Sequence, residues 1–393
     1  MPSLFAFTAA CGRRDGVWSP PDPERGKRLT MTDPLPSPDR RRLLALLASL
    51  PVLGWARRSV AAPSFGITPA LADTPFPDGA SILVAGPQDG AMDRWAKLVR
   101  PSLGQSLDPG VAMRQTDSGG PDGVTGANQF YTRVAPDGHT VLLAPGEAVL
   151  DWLVGDPRAQ FDVGHWMPVM ACVAPAVVVG RPATFAAGGV VRIAAAHPAG
   201  HALPAILGIE LLGGRAQLVA EAAGHGTLAD AMARKAVDVV LLRGHKVPEQ
   251  AKELAAAGVV PLFSLGTHDD AGALVRPAAF PDTPTLPELY AKRRNAPLSG
   301  PIRDGWSAAA TASQLEFALV LPQLTPAAMV ALWRRAGSGA AGALDVQAVA
   351  LSLGVQLLGG PAATAAVAPA AANQAGLQAL RQWLTHRFNW RPA

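Results

Sequence analysis

A glycine loop, a helical period, a tight turn and an apolar run follow one another between Gly119 and Glu147, and this unit sets the pattern for the chain. Glycines at 119, 120, 123 and 126 let the backbone bend sharply and come close to other groups. The residues after them carry no breaker and place Val124, Ala127, Phe130, Tyr131 and Val134 near helical spacing, which predicts a helix. Ala135-Pro136-Asp137-Gly138 predicts a type I turn, with proline presetting φ and glycine closing it. His139 to Leu143 is an apolar strand, and Ala144 to Glu147 is expected to form a short loop past its carboxyl end. In open α/β sheets that edge is where ligands sit, which makes Glu147 a candidate contact. His139, at a turn-to-strand junction, is expected to be a surface or half-buried residue.

The same alternation recurs on both sides. Ser81–Ala85 predicts a buried strand, 86–90 a tight loop, and Ala91 to about Leu103 a helix with Asp89 at its N-cap. Free N–H groups at such a helix start favour anions, which marks Gly86, Pro87, Gln88 and Gly90 as candidate ligand contacts. Asp93 in the first turn is either a ligand residue or an acid favoured by the helix dipole. Val177–Gly180 is expected to be a strand crossing between domains. After it, strands at 190–194, 217–220, 237–242 and 259–264 alternate with helices at 203–212, 228–234 and 247–257, predicting a mostly parallel sheet. The proline-rich run 280–288 is expected to be neither helix nor central strand. Residues 291–304 are expected to make a surface excursion before a return crossing near Trp306. Thr325-Pro326 is an N-cap and N1 pair for a helix to Arg335. Helical segments near 344–353, 362–372 and 377–386 are expected to cover the first sheet. Trp95 and Trp306 either line a cleft or pack in the core.

The 393 residues suffice for two domains and a tail. The net charge of +4 is uneven: residues 1–62 hold ten Lys/Arg against five Asp/Glu, and 63–393 hold 24 against 25. The folded part is therefore near neutral and has no basic footprint for nucleic acid. Cys11 lies in the leader and Cys172 in an apolar run, so a disulfide is not expected and Cys172 reads as a small buried residue. Arg40-Arg41-Arg42-Leu43-Leu44 runs into an apolar stretch from Leu43 to Ala56, too short to span a membrane. The paired arginines fit a Tat-type export signal, and Arg57 and Arg58 would hinder the ordinary secretion route. The alternative is an uncleaved amphipathic anchor. Residues 1–75 are expected to be a leader and linker, with Met31 a candidate start.

Two motifs at a fixed separation carry a resemblance. Asp117, Gly120-Pro-Asp-Gly123 and Gly126-Ala127 match an N-x-x-G-A-G-G-x-x-G-A loop, and Ala135–Leu142 matches A-P-D-G-Y-T-L-L with His139 for Tyr. Phe161–Pro168 resembles Y-D-P-x-x-D-F-x-P with His165 for the acid. Phe280–Glu288 resembles P-D-V-P-T-x-x-E, and Gly90 and Asp93 fit P-F-x-x-G-G-x-x-D. The chain thus resembles, over roughly 80–385, the solute receptors of tripartite tricarboxylate transporters, the TctC or Bug type. The resemblance implies an α/β, two-lobed periplasmic binding protein fold, type II-like, with two crossing strands between lobes. Lobe one would take 76–180 plus 300–393 and lobe two 181–299. It further implies a monomer in the periplasm, without cofactor or metal, that holds a small carboxylate or zwitterion and hands it to membrane permease subunits.

The departures from that family fall at the expected site. Where relatives show G-S-S-G-N-G-T-S, this chain has Ala195 to Pro204, in which His197, Gly200 and His201 replace hydroxyl-bearing residues. The family's Y-K-G becomes Ala223-Gly224-His225, and Arg243 follows a strand aimed at the same cleft. Arg243 and the histidines are expected to replace the lost hydroxyls. A metal or metal-complex receptor using His197, His201, His225, His245 and Glu147 is the alternative, as is a receptor that signals without transport. An enzyme is not expected: no G-x-S-x-G elbow or catalytic carboxylate pair can be named. A dinucleotide reading of the Gly119–Gly126 loop is weaker still, because it lacks G-x-G-x-x-G in register and no P-loop lysine follows.

Overall fold

The structure is a computed structural model that describes residues 76, 79–108, 111–185, 189–220, 228–269 and 271–391. The leader and Tat signal expected over 1–75, and His225, lie outside the described residues.

The chain opens with β1 (Ala80–Ala85), α1 (Ala91–Leu107), β2 (Met113–Ser118), α2 (Val124–Arg133), β3 (Thr140–Ala144), α3 (Gly146–Val154) and β4 (Trp166–Val173). It continues through β5 (Ala176–Gly180), β6 (Val190–Ala194), α4 (Leu203–Leu211), β7 (Arg215–Val219), α5 (Leu228–Ala233), β8 (Val239–Arg243), α6 (Val247–Ala255) and β9 (Val260–Ser264). A two-stranded ribbon, β10 (Thr267–His268) and β11 (Leu274–Val275), precedes α7 (Leu286–Arg294) and α8 (Pro301–Gln314). Then come β12 (Leu315–Pro322), α9 (Ala327–Ala341), α10 (Leu344–Leu353), β13 (Gln356–Gly359), α11 (Gly360–Val367) and α12 (Gln374–Phe388).

These strands make two α/β lobes. The first sheet has the order β13-β4-β12-β3-β1-β2 and the second β7-β6-β8-β5-β9. In the second, β6 runs parallel to β7 and β8, but β5 is antiparallel to both neighbours, so the sheet is mixed rather than mostly parallel. Two crossings join the lobes, at Ala174-Pro175 between β4 and β5 and at Gln314-Leu315 where α8 runs into β12. The Ala174 N–H donates to the Gln314 carbonyl at 2.9 Å, which holds the crossings side by side. Val177–Gly180, expected to cross between domains, instead lies wholly within the second sheet.

The glycine loop works as its residues require. Gly123 caps α2 with φ +77, the left-handed conformation that glycine adopts without strain. A Cβ on Gly126 would lie 2.6 Å from the Ala85 Cα, so the bare glycine lets α2 seat directly on the end of β1.

Four elements depart from expectation for identifiable reasons. Thr285 and Glu288 form a capping box, and Pro287 sits in the first turn of α7, where its missing N–H costs nothing. The proline-rich run therefore starts a helix instead of excluding one. Residues 301–304, expected as surface excursion, open α8, on which Trp306 is buried and donates to the Pro204 carbonyl at 3.1 Å. α9 is capped at Pro326, while the Thr325 hydroxyl donates to the Pro322 carbonyl at 2.8 Å. α12 does not cover the first sheet, although α9 and α11 pack on it. Arg381 of α12 donates to the Trp152 and Leu153 carbonyls, and Trp383 and Arg387 donate to Glu210 on α4.

That helix is part of a core shared by both lobes. One buried cluster includes Leu83, Phe130 and Leu142 of the first lobe, Ile193, Leu203 and Phe263 of the second, and Trp306 and Leu380 on α8 and α12. Among the described residues, no helix is long and apolar enough to cross a membrane.

Candidate functional site

The carboxyl ends of β1, β3 and β8 and the start of β12 meet at a cavity of about 250 Å³. The first lobe supplies Gly86, Pro87, Gly90, Ala91 and Met92 around the start of α1, with Pro121 from the glycine loop. It also supplies Pro145, Gly146 and Glu147 at the start of α3, and Leu315 and Glu316 at the start of β12. The second lobe supplies His201 and Arg243. Two helix N-termini thus open on one space, and their unpaired N–H groups favour anionic ligand atoms.

The four ionisable groups at this space are arranged across it. Glu147 lies in the first turn of α3 and not in a loop, and its Oε1 lies 2.6 Å from His201 Nε2 of the opposite lobe. That hydrogen bond holds the Glu147 carboxyl below the usual carboxylate range, against the burial that raises it. Ser313 at the end of α8 fixes the other side of the loop, its hydroxyl donating to the His201 carbonyl at 2.8 Å. Arg243 closes β8 and donates from Nε to the Ser313 carbonyl at 2.9 Å. Burial lowers the Arg243 pKa, and the neighbouring Glu316 and Glu147 carboxylates push it back up. No described residue takes a hydrogen bond from its η nitrogens, which leaves that fork for a ligand.

The expected site residues divide. Gly86, Pro87, Gly90, Glu147, His201 and Arg243 come together at the cavity. Gln88 is exposed beside it and does not line it. Asp93, expected to face the ligand, is fully buried and points away. Its carboxylate accepts from the Asp89 N–H at 2.8 Å, Lys97 Nζ at 2.7 Å and Gln115 Nε2 at 2.6 Å. The Lys97 hydrogen bond, first among these, keeps its pKa low. Asp93 thus braces the 86–90 loop from beneath. His197 is exposed and Gly200 half-buried; a Cβ on Gly200 would meet the His197 ring at 2.9 Å, so the two pack on each other outside the cavity. Among the described residues, no three His, Cys, Asp or Glu side chains gather in a way that could hold a metal ion. Glu316 escaped the sequence reading; its signal is a single charge in the otherwise apolar run Leu315–Pro322.

The architecture matches known structures. A TctC solute-binding protein from Polaromonas superimposes with a TM-score of 0.55 at 16% identity, over 77% of this chain and 99% of that one. The chain has the fold of a TctC solute-binding protein. At lower structural similarity, with TM-scores of 0.43 and 0.41, stand the periplasmic binding protein BugD at 16% identity and MatC from Rhodopseudomonas palustris with bound malate at 18%. They span 79% and 77% of this chain and 97% and 96% of their own. No protein-family model and no curated protein sequence matches the chain. On this TctC-type fold, the cavity at the strand ends lies where open α/β sheets hold their ligands.

Proposed function

We propose that this chain is a divergent TctC/Bug-type solute receptor. It binds a small organic acid or zwitterion between its lobes and passes it to membrane permease subunits in the periplasm, without catalysing a reaction. The fold supports the receptor reading, and the paired arginines at 40 and 41 support export by the Tat route. One observation carries the ligand class: Glu147 and Glu316 from one lobe face His201 and Arg243 from the other across a single cavity. A ligand that bridges them carries a carboxylate for the Arg243 fork, which grips through two parallel hydrogen bonds. It also carries a donor, an amine, amide or hydroxyl, for the acids. A plain dicarboxylate would set a second negative charge against Glu316. Movement of the lobes would turn on Ala174-Pro175 and Gln314-Leu315, with residues between these points in one lobe and residues outside them in the other.

Calorimetry with an amino acid, a hydroxy acid and succinate tests this reading. The zwitterion or hydroxy acid is expected to bind more tightly than succinate. Arg243→Ala is expected to cost about 2–4 kcal/mol of binding, because the ligand carboxylate is then buried without its partner. Equal affinity of Arg243→Ala and wild type, or a preference for succinate, would sink it.

A further inference from the structure

Glu316 borders a second cavity. This annex also measures about 250 Å³ and shares Ala91 as well as Glu316 with the cleft, so the two are neighbours across one side chain. Trp95 and Leu98 from α1 and Val349 and Leu353 from α10 give it an apolar side, and the exposed Arg94 and His245 also line it. Trp95 packs its ring on Phe317 at 5.2 Å, which gives the wall a rigid aromatic base. Leu98 and Leu353 are half-buried and Val349 is 36% exposed, so apolar surface is left open to solvent beside a polar site.

Two further observations point to one ligand lying across both spaces. Pockets for organic ligands run from about 300 to 1,000 Å³. Each cavity, at about 250 Å³, lies at the lower edge of that range, and the two together would lie inside it. Glu316 is also the uncommitted acid of the site. Glu147 is taken by His201 and Asp93 by three donors, whereas Glu316 accepts a hydrogen bond from no described residue. Glu316 has the Arg243 charge beside it but accepts no hydrogen bond from a described residue, so its oxygens are open to a cationic ligand nitrogen.

We propose that the annex is the subsite for the apolar part of an amphiphilic zwitterion, with Glu316 at the junction taking its cationic nitrogen and Arg243 its carboxylate. The inference rests on the receptor reading and narrows its solute to amino acids, or compounds shaped like them, that carry an aryl or branched alkyl group. Its test is calorimetry on the full chain with glycine, leucine, phenylalanine, phenylacetate and lactate. Wild type is expected to bind phenylalanine or leucine about tenfold or more above glycine, in line with burial of one large side chain. Val349→Trp, at an exposed position of the annex wall, is expected to fill the subsite and bring phenylalanine down toward the affinity of glycine. Glu316→Gln is expected to weaken phenylalanine about tenfold relative to phenylacetate, which has no amine. Equal wild-type binding of glycine and phenylalanine would overturn the annex, as would a Val349→Trp protein that keeps the preference. Arg243-dependent binding of lactate with no amino acid bound would overturn it and leave the receptor reading standing. Absence of binding by every probe would overturn both.

Discussion

Asp93 and Glu147 are both first-turn acids at strand-to-helix junctions, yet the fold uses them oppositely. Asp93 is turned inward, where three donors meet it, and Glu147 is turned across the cleft to His201. Asp93 is the third residue of its helix and Glu147 the second of its own. Asp93 meets two local donors, Lys97 one turn on and the Asp89 N–H, with Gln115 on the neighbouring β2 completing the set from 22 positions away. Asp93→Asn is expected to destabilise the protein by about 1–3 kcal/mol at pH 7, because a donor amide replaces an acceptor facing Lys97 and Gln115. Solute affinity is expected to stay within about threefold of wild type, in contrast to Arg243→Ala. The Asp93 pKa is depressed in the fold, so its stabilisation is present above the unfolded value near 4 and is lost as pH falls through the lower folded value. Urea unfolding of both proteins should therefore show a gap at pH 7 that narrows as pH falls below the unfolded value near 4. A gap that persists unchanged at low pH would refute the charged role.

At the scale of elements, apolar runs bounded by glycine or proline were legible as strands or helices, and polar or compound stretches were not. β1, β3 and β6 read directly because buried strands need near-continuous apolar residues. β2 is an edge strand, Met113-Arg-Gln-Thr-Asp-Ser118, and its polarity hides it from any hydrophobic pattern. α3 was hidden for another reason: it starts two residues after β3, and Pro145-Gly146 looks like a loop when it is the first step of a helix. The cleft residues Glu147, His201 and Arg243 were accessible because each follows a legible element, and Glu316 was not, because β12 lay behind an unrecognised α8. α3 carries a second acid one turn on. Asp151 is raised to about 6 by burial, with the Asp156 charge adding to it and Arg158 opposing. A raised acid binds its proton more tightly folded than unfolded, so ionised Asp151 costs stability above pH 6, and the cost vanishes below the unfolded value near 4. Asp151→Asn is expected to raise stability by about 1–3 kcal/mol at pH 8 and to leave it unchanged near pH 4. Thermal unfolding of both proteins across that range checks it, and a destabilised variant at pH 8 would count against it.

At the scale of the whole molecule, the two lobes are joined by more than their crossings. The buried cluster runs from Leu142 through Trp306 to Leu203, and α12 fastens α3 on one side and α4 on the other. Arg387 pairs with Glu210 and also donates to the Ala216 carbonyl at 2.7 Å, with both side chains of the pair mostly buried. On the proposed receptor reading, opening of the lobes has to separate these contacts, so opening and stability would be coupled through the C-terminal helix. The continuous core predicts that wild type unfolds in one cooperative transition instead of lobe by lobe. Arg387→Ala removes one partner of the pair and leaves Glu210, among the described residues, with the Trp383 indole at 3.2 Å. Its expected cost is about 2–3 kcal/mol, below the range for fully buried pairs because some exposure remains. The second lobe, released from the strap, should also spend more time open. Small-angle scattering of the ligand-free variant is expected to give a larger radius of gyration than wild type, and saturating solute should return it to the wild-type value. Stability loss with an unchanged radius would mean that α12 only packs, and that the crossings alone set how far the lobes part.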